Sequence, residues 1–344
     1  MLREVCHNHV KPRLLAFRTS QNSNGVNARY GYGDFTFARP SDGILTVTPR
    51  EAFTRNSLIF GVQGGAGDGG YVGNSDATGK SSVFSLTGYD SAGNATDSDI
   101  DGVIFGWDSS DANLVKDQRV TTGLYNSRII WGRVTGTTGA VVVGNGDFSV
   151  TRSGTGTYVV SYRRTFSQAP VVLVSGIATS TALSPRITNS ASARLATGCT
   201  ITLAGNSGSP ADGDFYIVVI GQDTRSDSSK RRQILMNSQR KPRILGAQVT
   251  MASGTPSLTI GGQTGGIDFT GLTDNEAGDF SLTIAKPFAR QPAVIVSTTT
   301  QRSQVHSYSN NVIRVLTKAA NDTNTDVDGV TNILVIGSDD ASEY

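Results

Sequence analysis

Hydrophobic and polar positions alternate along several stretches of the chain with a period of two. Tyr158–Tyr162 and Phe280–Ile284 place apolar residues at every second position, the pattern of a strand with one buried and one wet face. Ile217–Ile220 and Ile333–Ile336 are instead apolar at every position, which predicts strands covered on both faces. Clusters of Gly, Asn and Asp at 64–70, 88–94 and 321–324 punctuate these runs with turn chemistry. No 10–15-residue helical pattern lies between them, so antiparallel sandwiches are expected rather than βαβ units.

The pattern also recurs. Lys11–Thr19, Ser127–Thr135 and Lys241–Thr250 open alike, and their arginines Arg13, Arg128 and Arg243 are spaced by 115 residues each time. Asp101–Asp108, Asp214–Asp223 and Thr331–Asp339 close alike, with Gly106, Gly221 and Gly337 spaced by 115 and 116. Between them lie Gly33–Phe37, Gly146–Val150 and Ile267–Thr270, then Gly43, Gly156 and Gly278 heading strands that end near Phe53, Phe166 and Phe288. The second and third copies follow that phenylalanine with Pro170 and Pro292, whereas the first has Ser57, which marks it as the most divergent.

The predicted fold class is all-β: three tandem antiparallel β-sandwich (jelly-roll-like) domains related by an internal repeat of about 115 residues. The boundaries are an N-terminal arm 1–10, repeat 1 at 11–108, a linker 109–125, repeat 2 at 126–224, a basic linker 225–240 and repeat 3 at 241–344. Each repeat is expected to bury its phenylalanines: Phe35 and Phe53, Phe148 and Phe166, Phe269 and Phe288. Arg13, Arg128 and Arg243 are expected to do equivalent structural work, pairing with a carboxylate or carbonyl near the closing strand.

Composition supports this reading. Of 344 residues 40 are Gly, charged residues make up 17%, and the 28 acids include only four Glu, a poor supply for surface helices. A net charge of +2 gives no whole-chain reason to expect nucleic acid as a partner, and no apolar run approaches the length of a membrane span. Residues 225–243 break the balance with seven basic residues against Asp227. They read as a solvated linker face or as a docking strip for an acidic protein surface, centred on Lys230, Arg231 and Arg232, with nucleic acid the least favoured partner because no aromatic residues are interleaved.

Chemistry is sparse. His306 stands apart from His7 and His9, which lie beside Cys6 in the arm, and no nucleophile elbow accompanies it. Asp97, Asp99 and Asp101, like Asp326 and Asp328, project to one side of an extended chain and could hold calcium, although such acids more commonly serve turns. Trp107 and Trp131 read as core residues, with sugar stacking as the functional alternative. Cys6 and Cys199 are too few for a disulfide framework and are expected to remain thiols. No cofactor and no catalytic residue is expected.

The stretch Gly156–Val174, echoed by Gly278–Val296, resembles a pattern in β-sandwich modules of tailed-bacteriophage structural proteins, in head-surface proteins and tail-fibre tips. It is more loosely similar to H-type lectin and C1q-like modules. The resemblance covers about 20 residues per repeat and transfers no binding residue. It implies a non-enzymatic virion component, made in the host cytoplasm and mounted on the outside of head or tail as a decoration, knob or collar-type protein. Its partners would be other capsid or tail proteins in a symmetric assembly. A tail receptor-binding module reading a host surface glycan is the alternative, and a polysaccharide-degrading enzyme a third.

Overall fold

The computed structural model describes residues 11–22, 25–31, 35–50, 52–53, 57–64, 71–74, 82–90, 92–108, 127–177, 183–188, 194–205, 208–222, 224, 242–252, 255–261, 269–289, 291–298, 302–309, 311–318 and 328–338. Every regular element among them is a strand, so the all-β sandwich expectation holds. The first set comprises β1 (Lys11–Asn22), β2 (Gly25–Gly31), β3 (Phe35–Ala38), β4 (Ile44–Pro49), β5 (Leu58–Gly64), β6 (Tyr71–Asn74), β7 (Phe84–Tyr89) and β8 (Asp99–Asp108). The second comprises β9 (Ser127–Val134), β10 (Val141–Gly144), β11 (Phe148–Gly154), β12 (Thr157–Tyr162), β13 (Val171–Ile177), β14 (Ser184–Ile187), β15 (Arg194–Leu195), β16 (Gly198–Ala204) and β17 (Asp214–Gln222). The third comprises β18 (Pro242–Ala252), β19 (Thr255–Gly261), β20 (Phe269–Glu276), β21 (Asp279–Ile284), β22 (Ala293–Thr298), β23 (Arg302–Ser309), β24 (Val312–Lys318) and β25 (Val330–Ser338).

Within each set the opening strand pairs with the closing strand. The inner sheets run β2-β1-β8-β5, β10-β9-β17-β13 and β19-β18-β25-β22; the outer sheets run β3-β4-β7-β6, β11-β12-β16-β14 and β20-β21-β24-β23. The register places Arg13 opposite Gly106, Arg128 opposite Gly221 and Arg243 opposite Gly337. Two parallel contacts carry sheets across set boundaries: Ile187 of β14 against Gly64 of β5, and Ile177 of β13 against Val305 of β23.

One turn recurs because only glycine fits it. Gly43, Gly156 and Gly278 sit at φ +72°, +64° and +67°, in the left-handed region. A Cβ on Gly156 would lie 2.5 Å from the Leu203 carbonyl oxygen. The amides of these glycines are held by carboxylates just before the closing strands: Asp97 at 2.9 Å, Asp212 at 2.8 Å and Asp328 at 3.1 Å. The turn role of these acids is therefore the observed one. Arg39 also donates to Asp97, and Arg152 to Asp212, whereas Asp274 occupies the corresponding place in the third set.

The fully apolar strands are covered on both faces by different partners. In the first set Leu15, Phe17, Ile59, Ile100 and Ile104 pack with Leu45, Val47 and Leu86 of the outer sheet. Leu14, Ala16, Leu58, Phe60, Val62, Val103 and Phe105, on the opposite face of the same strands, belong to one core shared with the other two sets. Each such side chain contributes roughly 1.5–3 kcal/mol on burial, which makes the shared core a principal source of cohesion.

Inside the sandwiches, large and small residues trade places across the opening and closing strands. Phe17 faces Gly102, Gly132 faces Ile217, and Ala247 faces Ile333. Gly102 leaves room for the Phe17 ring, which a Cβ would approach to 2.2 Å, and Gly132 leaves room for Phe148 at 2.6 Å. This corrects one expectation. Phe35 is half-buried, not buried, because the Phe17 ring occupies the space that Gly132 opens under Phe148; Phe35 packs against Phe17 at 5.4 Å and Phe37 at 5.8 Å instead. Phe53, Phe148, Phe166, Phe269 and Phe288 are buried.

Candidate functional site

Three edge strands of the inner sheets, β5, β13 and β22, meet one another, and each is also overlaid by the next set in a cyclic order. β13 lies against β1 and β8, β22 against β9 and β17, and β5 against β18 and β25. The edges of the outer sheets follow the same cycle, with β14 parallel beside β5, β23 parallel beside β13, and β6 near β22. The three sets therefore close around a pseudo-threefold axis within one chain.

At that axis the chain must satisfy the outward backbone groups of edge strands, which are costly to bury unpaired. One cross-strand polar pair per set stands there at equivalent register, and the first and third reach such a backbone group: Arg18 opposite Asp101, Arg133 opposite Tyr216, and Gln248 opposite Asn332. Asp101 Oδ2 accepts the Val172 amide of the second set at 3.0 Å, and the Arg18 guanidinium lies 3.7 Å from the same carboxylate. The Tyr216 hydroxyl accepts from Gln291 Nε2 of the third set at 2.7 Å, while Arg133 Nη1 donates to Gln291 Oε1 at 3.2 Å. Asn332 Nδ2 donates to the Ile59 carbonyl of the first set at 3.0 Å, and its Oδ1 accepts from Gln248 at 2.9 Å. Burial pushes the Tyr216 phenol up to about 12. The Ser175 hydroxyl adds a further link by accepting the Val296 amide at 2.9 Å.

A cavity of about 50 Å³ lies where the edge strands converge. Its wall repeats around the axis: Gly61, Val174 and Val296 at one level, Val62, Ser175 and Ser297 at the next, and Val72, Pro185 and Ser303 from the outer-sheet edges. Gln63, Tyr71, Leu183 and Ser184 complete it, and no lining side chain carries a charge. This is the candidate site.

The residues singled out from the sequence lie elsewhere. Arg128 is buried, its guanidinium carbon 4.0 Å from the centre of the Phe166 ring, and it donates to the Arg164 carbonyl in the segment leading to that ring. The side chains of Arg13 and Arg243 fall outside the described residues, as do Lys230, Arg231, Arg232, Cys6, His7, His9, Asp326 and the Trp107 side chain. Phe166 and Pro170 pack over Gly221, Phe288 and Pro292 over Gly337, and Phe53 and Ser57 over Gly106. Trp131 is 3% exposed in the shared core, out of reach of a sugar ring, and Cys199 is buried on β16.

The acids do not gather. Asp97 serves its turn while Asp101 serves the axis, and among the described residues no three His, Cys, Asp or Glu side chains come together to hold a metal ion. His306 on β23 shares a charged patch with Arg314, Asp279 and Lys318; burial, with Arg314, holds its imidazole below the ordinary value. Asp279 is fully buried and accepts from Arg314 and from Asn275, so its carboxylate is engaged structurally. Sequence reasoning missed Asp101, Tyr216 and Asn332 as a group. Their signal was a polar group five residues before each repeated glycine, at the head of an apolar closing run.

No family model, curated protein or solved structure matches the chain.

Proposed function

We infer that this chain is a non-enzymatic structural component of a tailed-phage virion, mounted on the outer surface of head or tail as a decoration, knob or collar-type protein. The observation that carries the reading is the closure of three sandwich sets around one axis in a single polypeptide. A closed ring of like but unequal sectors can seat on a symmetric position of an assembly while offering a different surface to each neighbour. A second support is the use made of the polar side chains. The buried or half-buried acids Asp97, Asp101, Asp212 and Asp279 are each spent on a turn, an arginine or a neighbouring strand, which suits a scaffold. Together with the phage-like pattern at 156–174 and 278–296, these features favour assembly over turnover.

The test is association with particles. Purified chain should sediment with tailed-phage particles that lack it, and release no reducing sugar from host polysaccharide. Deleting residues 1–10, or reversing the charge of Lys230, Arg231 and Arg232, should weaken that association, and rising salt should weaken the charge-dependent part. Binding to a glycan array without particle association moves the assignment to a receptor module. Hydrolysis of glycan overturns the non-enzymatic reading.

A further inference from the structure

We propose that the outward face of β11, β12 and β16 docks a second copy of this chain, face to face about a twofold axis through Val159. The inference concerns the free chain and holds wherever the protein is mounted.

The register sets out the face. Thr151, Val159 and Thr200 stand side by side across the three strands, Ser149 stands opposite Ser161, and Thr157 opposite Thr202. Phe148, Tyr158, Val160 and Ile201, alternating with them, belong to the shared core, so the residues of these rows turn outward. Val159, at the middle of the face, is 40% exposed, and Ser149, Thr151 and Ser161 are exposed with it. None of these outward residues bears a charge or an aromatic ring.

The second set alone has such a centre. The same place holds Thr46 opposite Ser85 in the first set, both half-buried. In the third it holds Ser281 opposite Arg314, whose guanidinium donates to the buried Asp279.

The chemistry of the face selects its partner. The centres of protein interfaces are depleted of charge, because burying an ion costs far more than burying a hydroxyl or a methyl group. A Ser or Thr hydroxyl both donates and accepts, so a face built from them complements itself, and a central valine adds apolar contact between the copies. A sugar finds no ring here to stack on. One such centre per chain gives a closed dimer and not a filament. Three strands roughly 4.8 Å apart, each contributing about 17 Å of length, cover well under the roughly 800 Å² per partner of a stable interface, so the dimer is weak and forms at high concentration.

Sedimentation equilibrium of the purified full chain, up to about 1 mM, tests this alongside Val159→Glu and Val159→Lys, whose folds are checked by circular dichroism. The wild-type chain should show a concentration-dependent dimer. Either variant alone sets like charges against each other across the twofold axis and should weaken the dimer at least about tenfold. An equimolar mixture of the two variants should restore association, since a carboxylate then meets an ammonium group. A wild-type chain that stays monomeric, self-association unchanged in either variant, or a mixture no stronger than the variants alone would overturn the proposal. A monomeric wild-type chain whose association with particles is lost in Val159→Glu would overturn it too, because the face would then meet another protein.

Discussion

Asp101 of the first set accepts the backbone amide of Val172 in the second at 3.0 Å, so a fully buried carboxylate completes the edge of a neighbouring sheet. Its equivalents, Tyr216 and Asn332, make the corresponding reach from second to third set and from third to first. Three chemistries at one structural position make each boundary distinct, and that is how the ring stays closed while its sectors diverge.

Replacing Asp101 therefore tests the boundary. Asp101→Ala leaves the Val172 amide unpaired and removes the carboxylate beside Arg18, and should cost about 3–5 kcal/mol. Asp101→Asn keeps an acceptor for the amide and should cost less. Denaturant midpoints of the two variants check the order; equal costs would mean that the amide contact contributes little.

The size exchange inside the sandwiches predicts a coupled pair. Gly102→Ile alone overpacks against the Phe17 ring, and Phe17→Gly alone leaves a cavity worth about 3–5 kcal/mol. The double variant recreates the Gly132 and Ile217 arrangement of the second set and should recover at least about 1 kcal/mol relative to the sum. A double-mutant cycle measures the coupling. Additive costs would show that the two positions do not share one space.

Acid stability should report the turn before β17. Arg152 first, then the Gly156 amide and the Tyr158 hydroxyl, hold the Asp212 carboxyl down to about 2. Because the folded value lies below the unfolded value of about 3.9, the contribution is present above that pH and is lost as pH falls toward 2. Asp212→Asn should cost about 1–3 kcal/mol at neutral pH and flatten the stability profile between about pH 4 and 2. Melting curves across that range compare the two proteins.

Alkaline stability should report the axis. Burial raises both Tyr216 and Tyr158 to about 12. A folded value above the unfolded value of about 10 means that the stabilising, neutral phenol is retained below pH 10, and that its contribution is lost as pH rises from there toward 12. Tyr216→Phe removes one of the two titrations and should make the alkaline limb shallower. At neutral pH it should cost about 0.5–1.5 kcal/mol through the lost Gln291 hydrogen bond. An unchanged alkaline limb would count against a buried phenol at the boundary.

Strand character and turn glycines were legible in the chain because each follows from local chemistry: period-two alternation at Tyr158–Tyr162, and the backbone demand at Gly43, Gly156 and Gly278. Double coverage of Ile217–Ile220 was legible too, but not what covers it. An apolar run shows that a strand has two buried faces without saying whether the second cover comes from its own sandwich or from the next. Phe35 was misjudged for a related reason: its burial depends on Phe17, remote in sequence and opposite in size from Gly132. The axial cavity was invisible, since Gln63, Ser184 and Ser297 share neither a motif nor a spacing, and only the closure of the ring brings them together.

That closure yields the last prediction, which concerns cooperativity. The second set covers only part of its own apolar surface. Val294, Ile295 and Val296 of β22 belong to the same core as Ile217, Val218 and Val219 of β17, and β23 pairs with the edge of β13. A chain ended at residue 240 loses both covers at once, leaving apolar side chains and an open strand edge exposed to solvent, the conditions that promote association. The shortened chain should therefore self-associate or bind a hydrophobic dye, whereas the full chain should melt in one transition because its sets share one core. Analytical sedimentation and calorimetry read the two outcomes. A monomeric 1–240 fragment with its own sharp transition would mean that each sandwich is stable alone and that the shared core joins sets it does not hold up.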